Sequence, residues 1–140
     1  MKNEIFLDTA YAIALSVISD QYHELAVILA TSIEQNNIRL VTTRAILLEI
    51  GNALSKNRYR SAAVELLVAI ENDPQIDIIR LTDESYQKAL ELFTKRGDKE
   101  WGLIDCLSFV VMSERDITEA LTTDEHFSQA GFIPLLQRET

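Results

Sequence analysis

Short apolar runs, each too brief for a helix, recur between longer stretches of helical spacing, and this alternation constrains the fold more than any other feature. Residues 5–7 form one continuous apolar run, as a strand covered on both faces requires. Helical patterns follow over 9–18 and 22–35, then a strand at 38–41. Helices near 43–54 and 59–71 lead, past Pro74, to a strand at 76–79. Helices at 83–95 and about 102–114 precede a strand at 120–122, a helical turn after Asp124 and a last strand near 132–135. Strands alternating with helices predict βαβ units, hence an α/β fold whose parallel sheet carries helices on both faces. The strand at 76–79, with Asp77 inside it and Arg80 just after, suits a sheet edge better than its centre.

A chain of 140 residues is one domain's worth, so residues 1–140 are expected to form a single domain. At 47% hydrophobic and 25% charged residues, the core needs neither a disulfide nor zinc. The single cysteine, Cys106, has apolar neighbours and reads as a small core residue in a reducing compartment. Asp8 arrives before a signal peptide could assemble its apolar region. The apolar stretches at 10–17 and 103–112 fall far short of the ~20 residues of a membrane span, so a cytoplasmic protein is expected. A net charge of −9 works against a nucleic-acid partner, because phosphate contacts want Lys and Arg. Yet Arg44, Lys56, Arg58 and Arg60 flank Glu49, while Lys95, Arg96 and Lys99 precede Asp105, and local charge decides a site.

Four lone acids stand out. In a parallel sheet, ligands bind beyond the carboxyl ends of the strands, near the point where strand order reverses. Asp8 and Asp124 both fall at such strand ends, although each also reads as a helix N-cap. Asp105 is the only charge in residues 103–113. A helix apolar nearly all round is buried, and an unpaired carboxylate there costs several kcal/mol against the roughly 0.3–1 kcal/mol a helix dipole returns. Glu49 sits on the shoulder of an apolar helix face, with Asn52 on the same side, a position that equally suits a solvated rim. Carboxylates about 4 Å apart repel by roughly 4 kcal/mol per pair at an effective dielectric of 20, so convergence of the four needs a cation or a proton. Oxygen-only donors select Mg²⁺ or Mn²⁺ over zinc, and such a cluster suits phosphodiester cleavage. His23 and His126 read as surface or supporting residues rather than ligands. The chain holds no Gly-rich phosphate loop, nucleophile elbow, CxxC or HExxH.

The segments FLDTAY, LLEIGNAL, DKEWGLIDCLSF and LTTDEHFSQAGF, in that order, resemble the PIN domain family and, within it, the VapC-type ribonuclease toxins. The likeness runs from about residue 4 to residue 135. It implies a three-layer α/β/α sandwich with a five-stranded parallel sheet and an acidic quartet that binds Mg²⁺ or Mn²⁺. Carried over, the catalytic quartet is Asp8, Glu49, Asp105 and Asp124, with Asp8, Asp105 and Asp124 as the metal set. Within it, Asp8 and Asp105 are the most direct ligands, and Glu49 and Asp124 position water or a second ion. Thr9 and Thr123 match supporting hydroxyl positions, and Asn52 a polar neighbour of Glu49. Asp98 is open between an accessory acid and an ordinary turn with Gly97; Glu125 stands where many relatives carry a basic residue.

The activity so implied is a Mg²⁺-dependent endoribonuclease acting on RNA, the toxin of a toxin–antitoxin pair, dimeric and held by a small antitoxin. Two alternatives remain open: a non-toxin RNA-processing nuclease, and a PIN-like binding module without catalysis. A haloacid-dehalogenase-type phosphatase would need DxD after the first strand, where DTA stands. A phospho-receiver would need adjacent acids at an early strand end, which FLDTAY lacks.

Overall fold

The computed structural model describes residues 3–137. Five strands, β1 (Glu4–Leu7), β2 (Arg39–Thr43), β3 (Ile76–Ile79), β4 (Glu119–Leu121) and β5 (Ile133–Pro134), form one sheet in the order β3-β2-β1-β4-β5. Every pairing is parallel, with Phe6 opposite Val41 on one side and Ala120 on the other. The strand carrying Asp77 is indeed an edge, and β1 is central.

Among the described residues, seven helices connect the strands. Helices α1 (Thr9–Ser16) and α2 (His23–Gln35) join β1 to β2, and α3 (Arg44–Ala53) and α4 (Asn57–Asn72) join β2 to β3. Helices α5 (Asp83–Lys95) and α6 (Leu103–Glu114) carry the chain back across the sheet to β4, and α7 (Glu125–Gln129) links β4 to β5. The direction of travel reverses after β3, so right-handed crossovers set α1–α4 on one face and α5–α7 on the other. The helix contacts follow this division: α1 packs on α2, α3 and α4, while α6 packs on α5 and α7. The result is the three-layer α/β/α sandwich the sequence pattern calls for.

Local chemistry sets the boundaries. Strand β2 runs two residues beyond the expected end, because Thr42 and Thr43 are buried polar residues with internal partners. The Thr42 hydroxyl donates to the Leu7 carbonyl at 2.8 Å, and Thr43 Oγ1 accepts the Ile46 N–H at 3.2 Å to cap α3. Thr82 caps α5 reciprocally with Ser85. The sheet's apolar faces and the helices share one core. Phe6, Ile46, Ile50, Met112, Leu121 and Phe127 are fully buried within it. Phe109 meets Trp101 and Phe127 edge-on with ring centroids 5.0 Å apart in both pairs. Cys106 is free and buried in this core, as its neighbours in sequence imply. Arg115, just after α6, reaches Glu4 at 2.8 Å and Asp77 at 3.1 Å, tying the outset of β1 to the edge strand. No helix among the described residues is long and apolar enough to cross a membrane.

Candidate active site

The reversal of strand order falls between β1 and β4, whose carboxyl ends lie side by side. Asp8 follows β1 directly and Asp124 comes three residues after β4, so the topology alone brings both acids to the crevice. Asp105 enters from the first turn of α6 and Glu49 from the middle of α3.

Asp8 occupies the N-cap position of α1 but makes no capping bond. Its Oδ2 instead accepts the Thr122 hydroxyl at 2.7 Å. Thr122 is fully buried and also accepts the Asp124 N–H at 3.0 Å, so one hydroxyl couples the two strand-end acids. Sequence matching assigns the supporting hydroxyl to Thr123; the structure gives that role to Thr122, the fully buried residue of the pair. The Thr9 hydroxyl donates to Glu49 Oε1 at 2.5 Å.

Asp8 is only 8% exposed, and burial pushes its pKa up to about 7. The Thr122 hydroxyl and the Thr9 N–H oppose that rise, while the charges of Glu49 and Asp105 add to it. Asp8 therefore senses two of the other three acids.

Asp124 does cap its helix, accepting the His126 N–H at 2.8 Å. Asp105 sits less deeply than its apolar helix suggests. Its side chain is 22% exposed and reaches back to accept the Gly102 N–H at 3.1 Å. Side chains in a first turn lean toward the helix N-terminus, so the carboxylate leaves the apolar body of α6 and projects into the crevice.

The residue that sequence reasoning underrated is His126. Its Nδ1 lies 3.0 Å from Asp105 Oδ2 and 3.4 Å from Asp124 Oδ1. Donor atoms of Asp105, Asp124 and His126 all lie within 4.8 Å of one another. Burial disfavours charge on the imidazole, but the Asp105 hydrogen bond and the charges of Asp124, Asp105 and Glu125 outweigh it and push the pKa up. Asp8 and Glu49 lie outside this tight trio; Asp105 is the member common to it and to the surroundings of Asp8.

One flanking acid is engaged elsewhere. Asp98 is exposed and forms a two-bond ion pair with Arg96 in the turn before α6. Asn52 is exposed on α3 and lines the same cavity as Glu49. Several of the flanking cations are engaged elsewhere: Arg44 with Glu71, Lys95 with Glu91, and Arg60 with the Ser55 carbonyl. Among the described residues no Lys or Arg pairs with any of the four acids. A buried carboxylate surrounded by others and lacking a basic partner is a donor set short of positive charge, and a divalent cation fits it.

A parallel α/β/α sandwich that gathers carboxylates where its strand order reverses defines a class of acidic, cation-accepting α/β domains. Within that class the chain belongs to the PIN domain family, whose description matches residues 5–133. It is 29% identical over 129 residues to the 23S rRNA-specific endonuclease VapC20 of Mycobacterium tuberculosis strain H37Rv, spanning 92% of this chain and 95% of that protein. The crystal structure of M. tuberculosis VapC20, a Sarcin–Ricin loop cleaving toxin, superposes with a TM-score of 0.80 at 26% identity, covering 92% of this chain and 96% of that one. VapBC2 from Rickettsia felis, solved bound to a DNA fragment from its promoter, shares the fold at a TM-score of 0.67 and 15% identity, covering 94% and 96%.

Proposed function

We propose that this chain is a divalent-metal-dependent endoribonuclease, the toxin half of a toxin–antitoxin pair, with Asp8, Glu49, Asp105 and Asp124 as its catalytic acids. The observation that supports the reading is a run of acids at the β1/β4 crevice, Asp8 sensing Glu49 and Asp105 and Asp105 standing close to Asp124, with no Lys or Arg paired to them among the described residues. Similarity to VapC20 over nearly the full length of both chains supports the same reaction class.

Asp8, Asp105 and Asp124 would hold the ion, Mg²⁺ or Mn²⁺. When bound, it supplies a Lewis acid that lowers the pKa of water and screens phosphate from the acids. The protein's own part is positional. Thr122 fixes Asp8 against Asp124, and the Gly102 N–H fixes Asp105. Thr9 holds one oxygen of Glu49, leaving the other to accept a proton from the attacking water. Lys56, Arg58 and Lys99, all outside ion pairs among the described residues, supply local positive charge for an RNA backbone despite the net charge of −9.

The chain works as one PIN unit in the cytoplasm, as a homodimer, with an antitoxin as its regulatory partner. A cleft of about 530 Å³ between α1, α2 and α4, lined by Tyr11, Leu15, Ile33, Leu66 and Ile70, offers an apolar surface that suits a protein partner.

The test is cleavage of total RNA with Mg²⁺ or Mn²⁺, compared with EDTA and with Asp8→Asn, and mapped to nucleotide resolution. Metal-dependent cuts that Asp8→Asn abolishes are expected, and the 23S rRNA loop is the first position to inspect. Equal cutting by the variant refutes the proposal.

A further inference from the structure

We propose that His126 Nδ1 is itself a ligand of the divalent ion, which makes the centre a mixed imidazole–carboxylate site and biases it toward Mn²⁺ over Mg²⁺. This rests on the metal-dependent reading above and adds a residue and an ion preference to it. Cis donors around an octahedral ion with bonds of ~2.1 Å stand about 3 Å apart. His126 Nδ1 stands 3.0 Å from Asp105 Oδ2 and 3.4 Å from Asp124 Oδ1, close to that spacing, and one donor atom from each of the three residues lies within 4.8 Å of the others.

The backbone that carries the imidazole is also held in place. The backbone N–H of His126 donates to Asp124 Oδ1, and the Asp124 backbone N–H donates in turn to the buried Thr122 hydroxyl. The next residue, Phe127, is fully buried, with Phe109 edge-on against its ring at 5.0 Å, and so anchors α7 in the core. A side chain so placed loses little further freedom on binding an ion, which favours ligation over a loose surface role. The chemistry then sets the preference. Carboxylate oxygens alone suit Mg²⁺, whereas a nitrogen donor raises affinity for transition ions and does little for Mg²⁺.

Pulsed electron paramagnetic resonance on the full chain with one equivalent of Mn²⁺ reads this directly. Expected is ¹⁴N modulation from one imidazole in the wild-type protein and in His23→Gln, whose histidine lies on α2 and bonds the Ala14 carbonyl. His126→Gln should lose the modulation and about tenfold or more in Mn²⁺ affinity, with Mg²⁺ affinity changed less than about threefold. Should His126→Gln fold poorly, the wild-type spectrum alone decides. Bound Mn²⁺ without nitrogen modulation in the wild type overturns the inference and leaves the nuclease reading intact. Failure of the wild type to bind Mn²⁺ at all overturns both.

Discussion

Asp8→Asn should stabilise the metal-free protein, and by an amount that grows with pH. The Asp8 pKa rises from 3.8 to about 7, chiefly because the carboxylate is buried. In the unfolded chain the group ionises near 3.8, whereas in the fold it keeps its proton until about 7. Its contribution is therefore favourable in full below 3.8 and is lost as pH rises from there through about 7. At about 1.4 kcal/mol per pKa unit, the loss is about 4 kcal/mol by pH 8. Asparagine keeps an acceptor for the Thr122 hydroxyl and carries no charge at any pH. Its extra N–H donors take back part of the gain, so an advantage on the order of 2–4 kcal/mol is expected at pH 8 and almost none at pH 4. Urea unfolding of metal-stripped wild type and Asp8→Asn across pH 4–8.5 measures it. A variant less stable than wild type at pH 8, or a gap that does not change with pH, would refute the reasoning. With Mn²⁺ at about 100 times its dissociation constant the gap at pH 8 should shrink, wild type gaining about 2.7 kcal/mol and the variant far less.

Thr122→Val removes the donor to Asp8 and the acceptor for the Asp124 N–H in a fully buried position. Chemical denaturation should show a loss of about 1–3 kcal/mol, with Mn²⁺ affinity weakened in parallel, while Thr123→Val stays within about 0.5 kcal/mol of wild type. Glu49→Gln keeps the acceptor for Thr9, so its melting temperature should hold while RNA cleavage drops by about 100-fold or more in a single-turnover assay. Phe109→Ala empties the ring cluster between Trp101 and Phe127 and should cost about 3–5 kcal/mol by urea denaturation.

Where the sequence carries its own punctuation, the fold is legible before any coordinates. Pro74 stands just before β3, and β3 and α5 fall where their patterns begin and end. The end of β2 is harder, because the sequence pattern closes the strand at residue 41 and gives Thr43 to the following helix until the hydroxyl partners of Thr42 and Thr43 are known. The site divides the same way. Placement of Asp8 and Asp124 follows from strand ends and topology, both of which leave a trace in the pattern. Asp105 was singled out for burial, yet its carboxylate escapes the apolar helix by pointing back along it. His126 gives no signal in sequence, since its approach to Asp105 depends on how α7 docks against α6.

The central proposal is geometric: Asp8, Asp105 and Asp124 hold one divalent ion in the β1/β4 crevice, with Glu49 beside it. A crystal of the metal-stripped protein soaked in Mn²⁺ and measured for anomalous scattering tests it most directly. The account requires a strong anomalous peak in the β1/β4 crevice within bonding distance of Asp8, Asp105 and Asp124. A peak held elsewhere on the surface, or an empty crevice at saturating Mn²⁺, would contradict it.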